Sequence, residues 1–311
     1  MQFTLSLRLL ALLLLAGIGS ASARQSASVS GIDSTGLPGD QFSLQGALAM
    51  FQQSSGIEDF EKRINSSSNG VNNLDLNGDG ETDYVRVQDR ANGDVHVFVL
   101  QVPISETESQ DIAVIELERT GDTSAVIQII GDEDIYGENV VIEPDGGSED
   151  AAFLSPAEAS LAGGPSYPEY EFGTRRLVVN VWFWPSVRFV YAPAYRPWVS
   201  PWYWRHYPGW WRPWRPLTWH AYYPLRARYY RPFVVVHTRR VVRAHSIYAP
   251  VRVSSVTVRT RHQASVQNYR VTRRQTTVTG PRGNSATRTT TTVKGPKGKV
   301  KTKRTRVRTR H

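Results

Sequence analysis

Apolar and polar positions follow two different periods in the first half of the chain. Leu44, Ala47, Leu48 and Phe51 recur at i, i+3, i+4 and i+7, which predicts a helix with one buried face. Ile57, Phe60 and Ile64 predict a second, shorter helix, with Ser55 and Glu58 spaced as a capping box and the 66–70 stretch as its end. From Asp83 the period falls to two. Tyr84-Val85-Arg86-Val87 leads to Asn92-Gly93, a tight-hairpin dipeptide, after which Val95, Val97 and Val99 alternate with His96, Phe98 and Leu100. Ile112 to Leu117 and Ala125 to Ile130 predict two further strands joined around Gly121-Asp122, and Val140 to Ile142 a fifth.

The expected fold is therefore α+β, with short helices packed on an antiparallel β-meander over residues 40–145, because a sheet with one apolar face needs a cover. About 100 residues are enough for a modest core. An irregular or partly β aromatic-basic region and a disordered tail are expected to follow.

Beyond Asp145 the patterning weakens. Residues 146–174 mix Gly, Ser, Pro and Glu as a linker, with a short helical stretch from Pro156 to Leu161. In the 175–260 region, Leu177 to Phe183 and Val187 to Tyr191 are expected as strands hinged at Pro185, and Phe233 to Val236, Val241-Val242 and Val251 to Val258 also carry strand propensity. Prolines 193, 197, 201, 208, 213 and 216 oppose regular structure between them. The 261–311 tail sets Gly280-Pro281-Arg282-Gly283 and Gly295-Pro296-Lys297-Gly298 beside Thr-rich runs, with little apolar surface to offset ordering.

At the other end, Arg8 precedes an apolar run from Leu9 to Ile18, and Ala21-Ser22-Ala23 offers a cleavage site, so residues 1–23 are expected to be a signal peptide. A Ser/Gly/Ala-rich leader, residues 24–39, would follow, and the mature chain would hold no transmembrane helix. The product would be periplasmic, secreted or displayed on the cell surface. The absence of cysteine excludes disulfides, thiol catalysis, Cys-ligated metals and a lipidated Cys.

Charge divides the chain. Residues 24–171 hold all 28 acidic residues and six basic ones; residues 172–311 hold 30 basic residues and no acid. Each half is expected to attract the other or a separate partner of opposite sign, more strongly at low salt.

The sharpest local motif is Asp75-Leu76-Asn77-Gly78-Asp79-Gly80-Glu81-Thr82-Asp83. Oxygens of Asp75, Asn77, Asp79 and Asp83, with the Glu81 backbone carbonyl, have the spacing of a short calcium loop; position 12 is Arg86, so the bidentate Glu of an EF-hand is missing. The competing reading is a metal-free Asx-rich turn. Glu116 and Glu118 read as carboxylates on a solvated sheet face, and His96 as a surface or partly buried strand residue.

All nine tryptophans lie between Trp182 and Trp219. Trp202, Trp204, Arg205, Trp210, Trp211, Arg212, Trp214 and Arg215 form a candidate polyanion-binding set, since rings stack and guanidinium groups fork onto anionic oxygens. The alternative is that the rings pack among themselves and on the acidic half. Partners would be envelope polysaccharide, anionic lipid headgroups or an acidic protein surface; sequence-specific nucleic-acid recognition is not expected. No nucleophile triad, zinc helix or phosphate loop is present, so no catalytic residue is assigned.

The Asp75 to Asp83 loop, the run from Val95 to Asp111 and the Trp182 to Trp219 block together resemble an uncharacterised family of exported proteins from Bacteroidota. The resemblance spans most of the mature chain and implies export and envelope association without an activity. The functional expectation is an envelope-associated structural or binding protein that holds calcium weakly. The alternative is an envelope hydrolase using carboxylates of the acidic half, which requires a concave site with a raised-pKa Asp or Glu.

Overall fold

A computed structural model describes residues 34–146, 177–236, 238–279, 285–294 and 300–309. The expected signal peptide, most of the expected leader and nearly all of the expected linker, including the stretch from Pro156 to Leu161, lie outside the described residues.

Both predicted helices form. α1 (Leu44–Gln53) is capped by Ser43, whose Oγ accepts from Gly46 N at 3.0 Å. α2 (Ile57–Ile64) starts differently from the expected Ser55/Glu58 box: the Asp59 carboxylate accepts from Ser55 N at 3.0 Å, and Gly56 occupies the cap position. The leader boundary is also earlier than expected, because Leu37, Pro38 and Gly39 are buried and a Cβ on Gly39 would overlap the Tyr136 ring.

Strands β1 (Arg86–Asn92), β2 (Val95–Pro103), β3 (Ser109–Gly121), β4 (Ser124–Gly131) and β5 (Val140–Pro144) run as an antiparallel meander, with helix α3 (Glu133–Tyr136) between the last two. Gly93 closes the first hairpin at φ 61°, as the Asn-Gly turn requires. The sixth strand comes from the basic half: β6 (Phe233–Val236) pairs antiparallel with β5.

Every residue of β2 is buried, so neither face of the sheet centre meets water. Phe98 and Leu100 point into a core with Leu48, Phe51, Phe60 and Ile115, under α1 and α2. Val95, Val97, Val99 and Val114 point the other way, into a second cluster with Val241, Ala244 and Tyr248. That second cover centres on α6 (Val242–Tyr248), again from the basic half.

Several expected strands are helices. Val187 to Val190 falls in α4 (Pro185–Val190) and Tyr191 caps its end; Pro185 starts the helix with its fixed φ and missing donor. Leu177 to Phe183 is not a strand, although Val181 N donates to Ala125 O at 3.0 Å. α5 (Trp219–Ala227) starts at the last tryptophan of the aromatic block; Val242 lies in α6, and the segment starting at Val256 is α7 (Val256–Asn268), capped by Ser255 and crossing the expected boundary at residue 260.

Residues 270–279, 285–294 and 300–309 pair as a separate antiparallel sheet, β7 to β9. The sequence there is mainly Thr, Arg and Lys, with few apolar residues to set against the entropy of ordering.

Candidate functional site

The connection from α2 to β1 is wound around Asp75. Its Oδ1 accepts from Gly78 N at 2.7 Å and Asp79 N at 3.1 Å, and its Oδ2 from Gly80 N at 3.0 Å. Asn77 Oδ1 accepts from Asp79 N at 2.8 Å, Asp79 Oδ1 from Glu81 N at 2.9 Å, and Asp83 Oδ2 closes the loop on Leu76 N at 2.6 Å. Gly78 and Gly80, at φ 72° and 85°, take left-handed conformations that a side chain would strain.

Asn77 Nδ2 donates to Asp79 Oδ2 at 3.0 Å and to Asp83 Oδ1 at 3.2 Å, placing a neutral amide between two carboxylates. Burial pushes the Asp83 carboxyl up to about 8; the Leu76 amide opposes this, while the charges of Asp75 and Asp79 add to it. The Arg261 guanidinium from α7 lies against Gly78. Arg86, at position 12, turns onto the sheet and donates Nε to Gln101 Oε1 at 2.9 Å.

Asp75, Asn77, Asp79, Asp83 and the Glu81 carbonyl are hard oxygen donors, which suits calcium in type. In arrangement, no group of three or more His, Cys, Asp or Glu side chains among the described residues is placed to hold a metal. A cation at this loop must take over the two carboxylates that the Asn77 amide bridges.

The aromatic segment packs directly on this loop. Thr82 N donates to Trp214 O at 2.7 Å, and Trp211 meets Tyr84 edge-on at 5.1 Å, Tyr207 at 4.6 Å and Trp214 at 5.9 Å. Trp211 is only 3 % exposed, so within the candidate polyanion set it supports the surface from below. Trp202, Trp204 and Trp214 are half-buried, and Trp210 is exposed beneath the Lys62 ammonium, 5.5 Å from its ring.

Arg205, Arg212 and Arg215 are exposed and make no ion pair among the described residues. Arg205 stacks over Trp204 at 5.3 Å and, at φ 58°, is the sole non-glycine residue with positive φ among those described. Arg212 donates Nη1 to Trp211 O at 2.7 Å.

The arginines that follow β6 are engaged differently. Arg240 grips Glu143 through Nε at 2.6 Å and Nη2 at 2.9 Å; Arg252 grips Asp132 at 2.6 and 2.8 Å and reaches Asp134 at 2.8 Å. Arg243 Nε donates to Glu118 at 2.9 Å, and Arg239 faces Glu116 at 3.8 Å. These pairs join the basic half to the acidic half. Paired forks of this kind are the strong form of the carboxylate contact.

Two further carboxylates organise the aromatic side. Glu61 of α2 accepts from Tyr84 Oη and Ser200 Oγ, each at 2.8 Å, from Val87 N at 2.9 Å and from Trp198 Nε1 at 3.1 Å. Burial raises its pKa while these four donors pull it back, and with each oxygen accepting two hydrogen bonds its acceptor positions are taken up by the fold. Asp89 of β1 holds His96 Nδ1 at 2.9 Å and Tyr195 Oη at 2.7 Å, so His96 is a buried, partnered strand residue. Glu61 was legible in one respect: it lies beside Phe60 and Ile64 on the buried face of α2, where a carboxylate must find donors.

Among the described residues no helix is long and apolar enough to cross a membrane. Comparison with protein-family models, curated proteins and solved structures finds no match, so the chemistry of the site rests on its own geometry.

Proposed function

We propose that this chain is an exported, envelope-associated structural or binding protein that contacts an anionic envelope component through the aromatic and arginine surface spanning Trp202 to Arg215. One contrast supports this reading. Arg239, Arg240, Arg243 and Arg252 face internal carboxylates, whereas Arg205, Arg212 and Arg215 project on a ring-supported surface without one among the described residues. A polyanion would neutralise these three and gain stacking on the adjoining rings. Weak calcium binding at Asp75, Asn77, Asp79, Glu81 and Asp83 belongs to the same proposal: it would brace the loop on which Trp211 and Trp214 sit and would offset its crowded carboxylates. The resemblance to exported envelope proteins agrees with this assignment.

The test is retention of the full chain on immobilised alginate, with anionic and zwitterionic vesicles as parallel arms, across a salt series. Retention at low salt should fall as salt rises. The Arg205→Ala/Arg212→Ala/Arg215→Ala variant should flatten the salt dependence by roughly three counter-ions. Unchanged retention and an unchanged salt slope in that variant would refute the assignment of this surface.

A further inference from the structure

Beside α2 the surface opens into a groove of about 680 Å³, lined by α2 and by residues 189–210. That volume lies in the range of roughly 300–1,000 Å³ typical of small-ligand sites. Its walls are rings fixed by their polar ends. Trp198 Nε1 is held by Glu61 at 3.1 Å, Tyr84 Oη by the same carboxylate at 2.8 Å, and Tyr195 Oη by Asp89 at 2.7 Å. Such anchoring lowers the entropy lost when a ligand stacks on the rings. Phe189 and Trp210, 46 % and 47 % exposed, complete the lining.

The charges around these rings are mixed. Glu58 and Lys62 line the groove from α2 and Arg196 from the facing segment, while Asp59 is already paired with Arg63 at 2.9 Å. A polyanion would meet Glu58, Asp59 and the buried Glu61, so this is a poor site for one. A peptide adding as a strand would need the free edge of β1, but residues 198–200 already occupy it: Asp89 N donates to Trp198 O at 2.7 Å and Ser200 N to Val87 O at 3.0 Å. Fixed apolar ring faces with hydrogen-bonding groups of both signs at the margin match a molecule that is apolar on its faces and hydroxylated around its edge.

We infer that this groove binds a neutral oligosaccharide, with pyranose faces stacked on Trp198, Trp202 and Phe189 and hydroxyl groups met by Glu58, Lys62 and Arg196. The inference does not use Arg205, Arg212 or Arg215; Trp202 and Trp210 border both surfaces, so its test rests on Phe189 and Lys62, which lie outside the Trp202 to Arg215 segment.

Cellohexaose, chitohexaose and maltohexaose should be titrated into the full chain, with hexagalacturonate as the charged comparison, following tryptophan emission and heat. At least one neutral hexamer should bind below millimolar concentration. Phe189→Ala, which removes an exposed ring, and Lys62→Ala, which removes an exposed donor, should each weaken it by about tenfold. Phe189→Ala should leave salt-sensitive retention on alginate intact. The inference is overturned if no neutral hexamer binds at millimolar concentration, if binding is indifferent to both substitutions, or if hexagalacturonate binds this groove more tightly than every neutral hexamer.

Discussion

Glu116 lies on β3 with both carboxylate oxygens buried and no hydrogen-bond donor among the described residues, facing Arg239 at 3.8 Å. Its strand neighbours, Val97 and Gln128, leave it uncompensated, since Gln128 gives its amide hydrogens to Glu143 and Thr238 O. Burial pushes its carboxyl from 4.5 up to about 7, with Arg239 opposing. The sign follows. The folded chain keeps this proton where the unfolded chain has lost it, so the stabilising contribution is full below pH 4.5 and disappears as pH rises through about 7. Glu116→Gln removes that titration, and its stability relative to the parent should climb across this window by about 3 kcal/mol, at about 1.4 kcal/mol per pH unit of displacement. Urea denaturation at pH 4.5, 6 and 8 measures it; a difference constant with pH would show that Glu116 ionises normally. The sequence marked Glu116 as a solvated sheet residue because strand alternation says which residues share a face but not what covers it. The cover here arrives more than 100 residues later, from residues 239–248.

At the level of elements, local signals were legible wherever packing agreed with them. The i, i+3, i+4 stripes of α1 and α2 and the Asn-Gly hairpin each appear at their expected places, because one buried face and one turn geometry suffice to specify them. Of the β-branched runs after Pro185, Phe233 to Val236 was legible as a strand and forms β6, whereas others were not. Val187 and Val190 go into the core from the helix α4, and Val258 does so from α7, so burial on one side overrode strand propensity. The loop before β1 is intermediate: its Asx pattern predicted the winding around Asp75, while the bridging role of the Asn77 amide depends on a side-chain orientation that spacing does not specify. Calcium should compete with that amide. Calorimetric titration of the full chain should give heat with a dissociation constant of about 10⁻⁴ to 10⁻³ M, as for extracellular modules, and Asp79→Ala should abolish it. Absence of heat and of a thermal shift at millimolar calcium would assign the loop to the metal-free Asx turn.

At the level of the whole molecule, the division of charge that is so plain in the sequence serves in part to close one fold on itself. The meander of residues 86–144 depends on the basic half in three places: residues 198–200 lie along β1, β6 extends the sheet beyond β5, and α6 covers the second face. Residues 34–146 alone would expose Val95, Val97, Val99, Val114, Ile130 and Val141 together, each valued at about 1.5–3 kcal/mol when fully buried. They would also leave Glu143 and Asp132 without Arg240 and Arg252. An apolar sheet face with an open edge at β1 favours self-association over a monomer. The expected outcome for the 34–146 fragment is therefore a species that binds hydrophobic dye and elutes as oligomers. Adding the 177–311 segment in trans should restore a dye-silent 1:1 complex, less completely at high salt because the joining pairs are ionic at their margins. Size-exclusion chromatography with near-ultraviolet circular dichroism reads both outcomes. A monomeric 34–146 fragment with a cooperative urea transition and no dye binding would mean that the acidic half closes its own core, leaving the arginines of 239–252 as surface charge available to an outside partner.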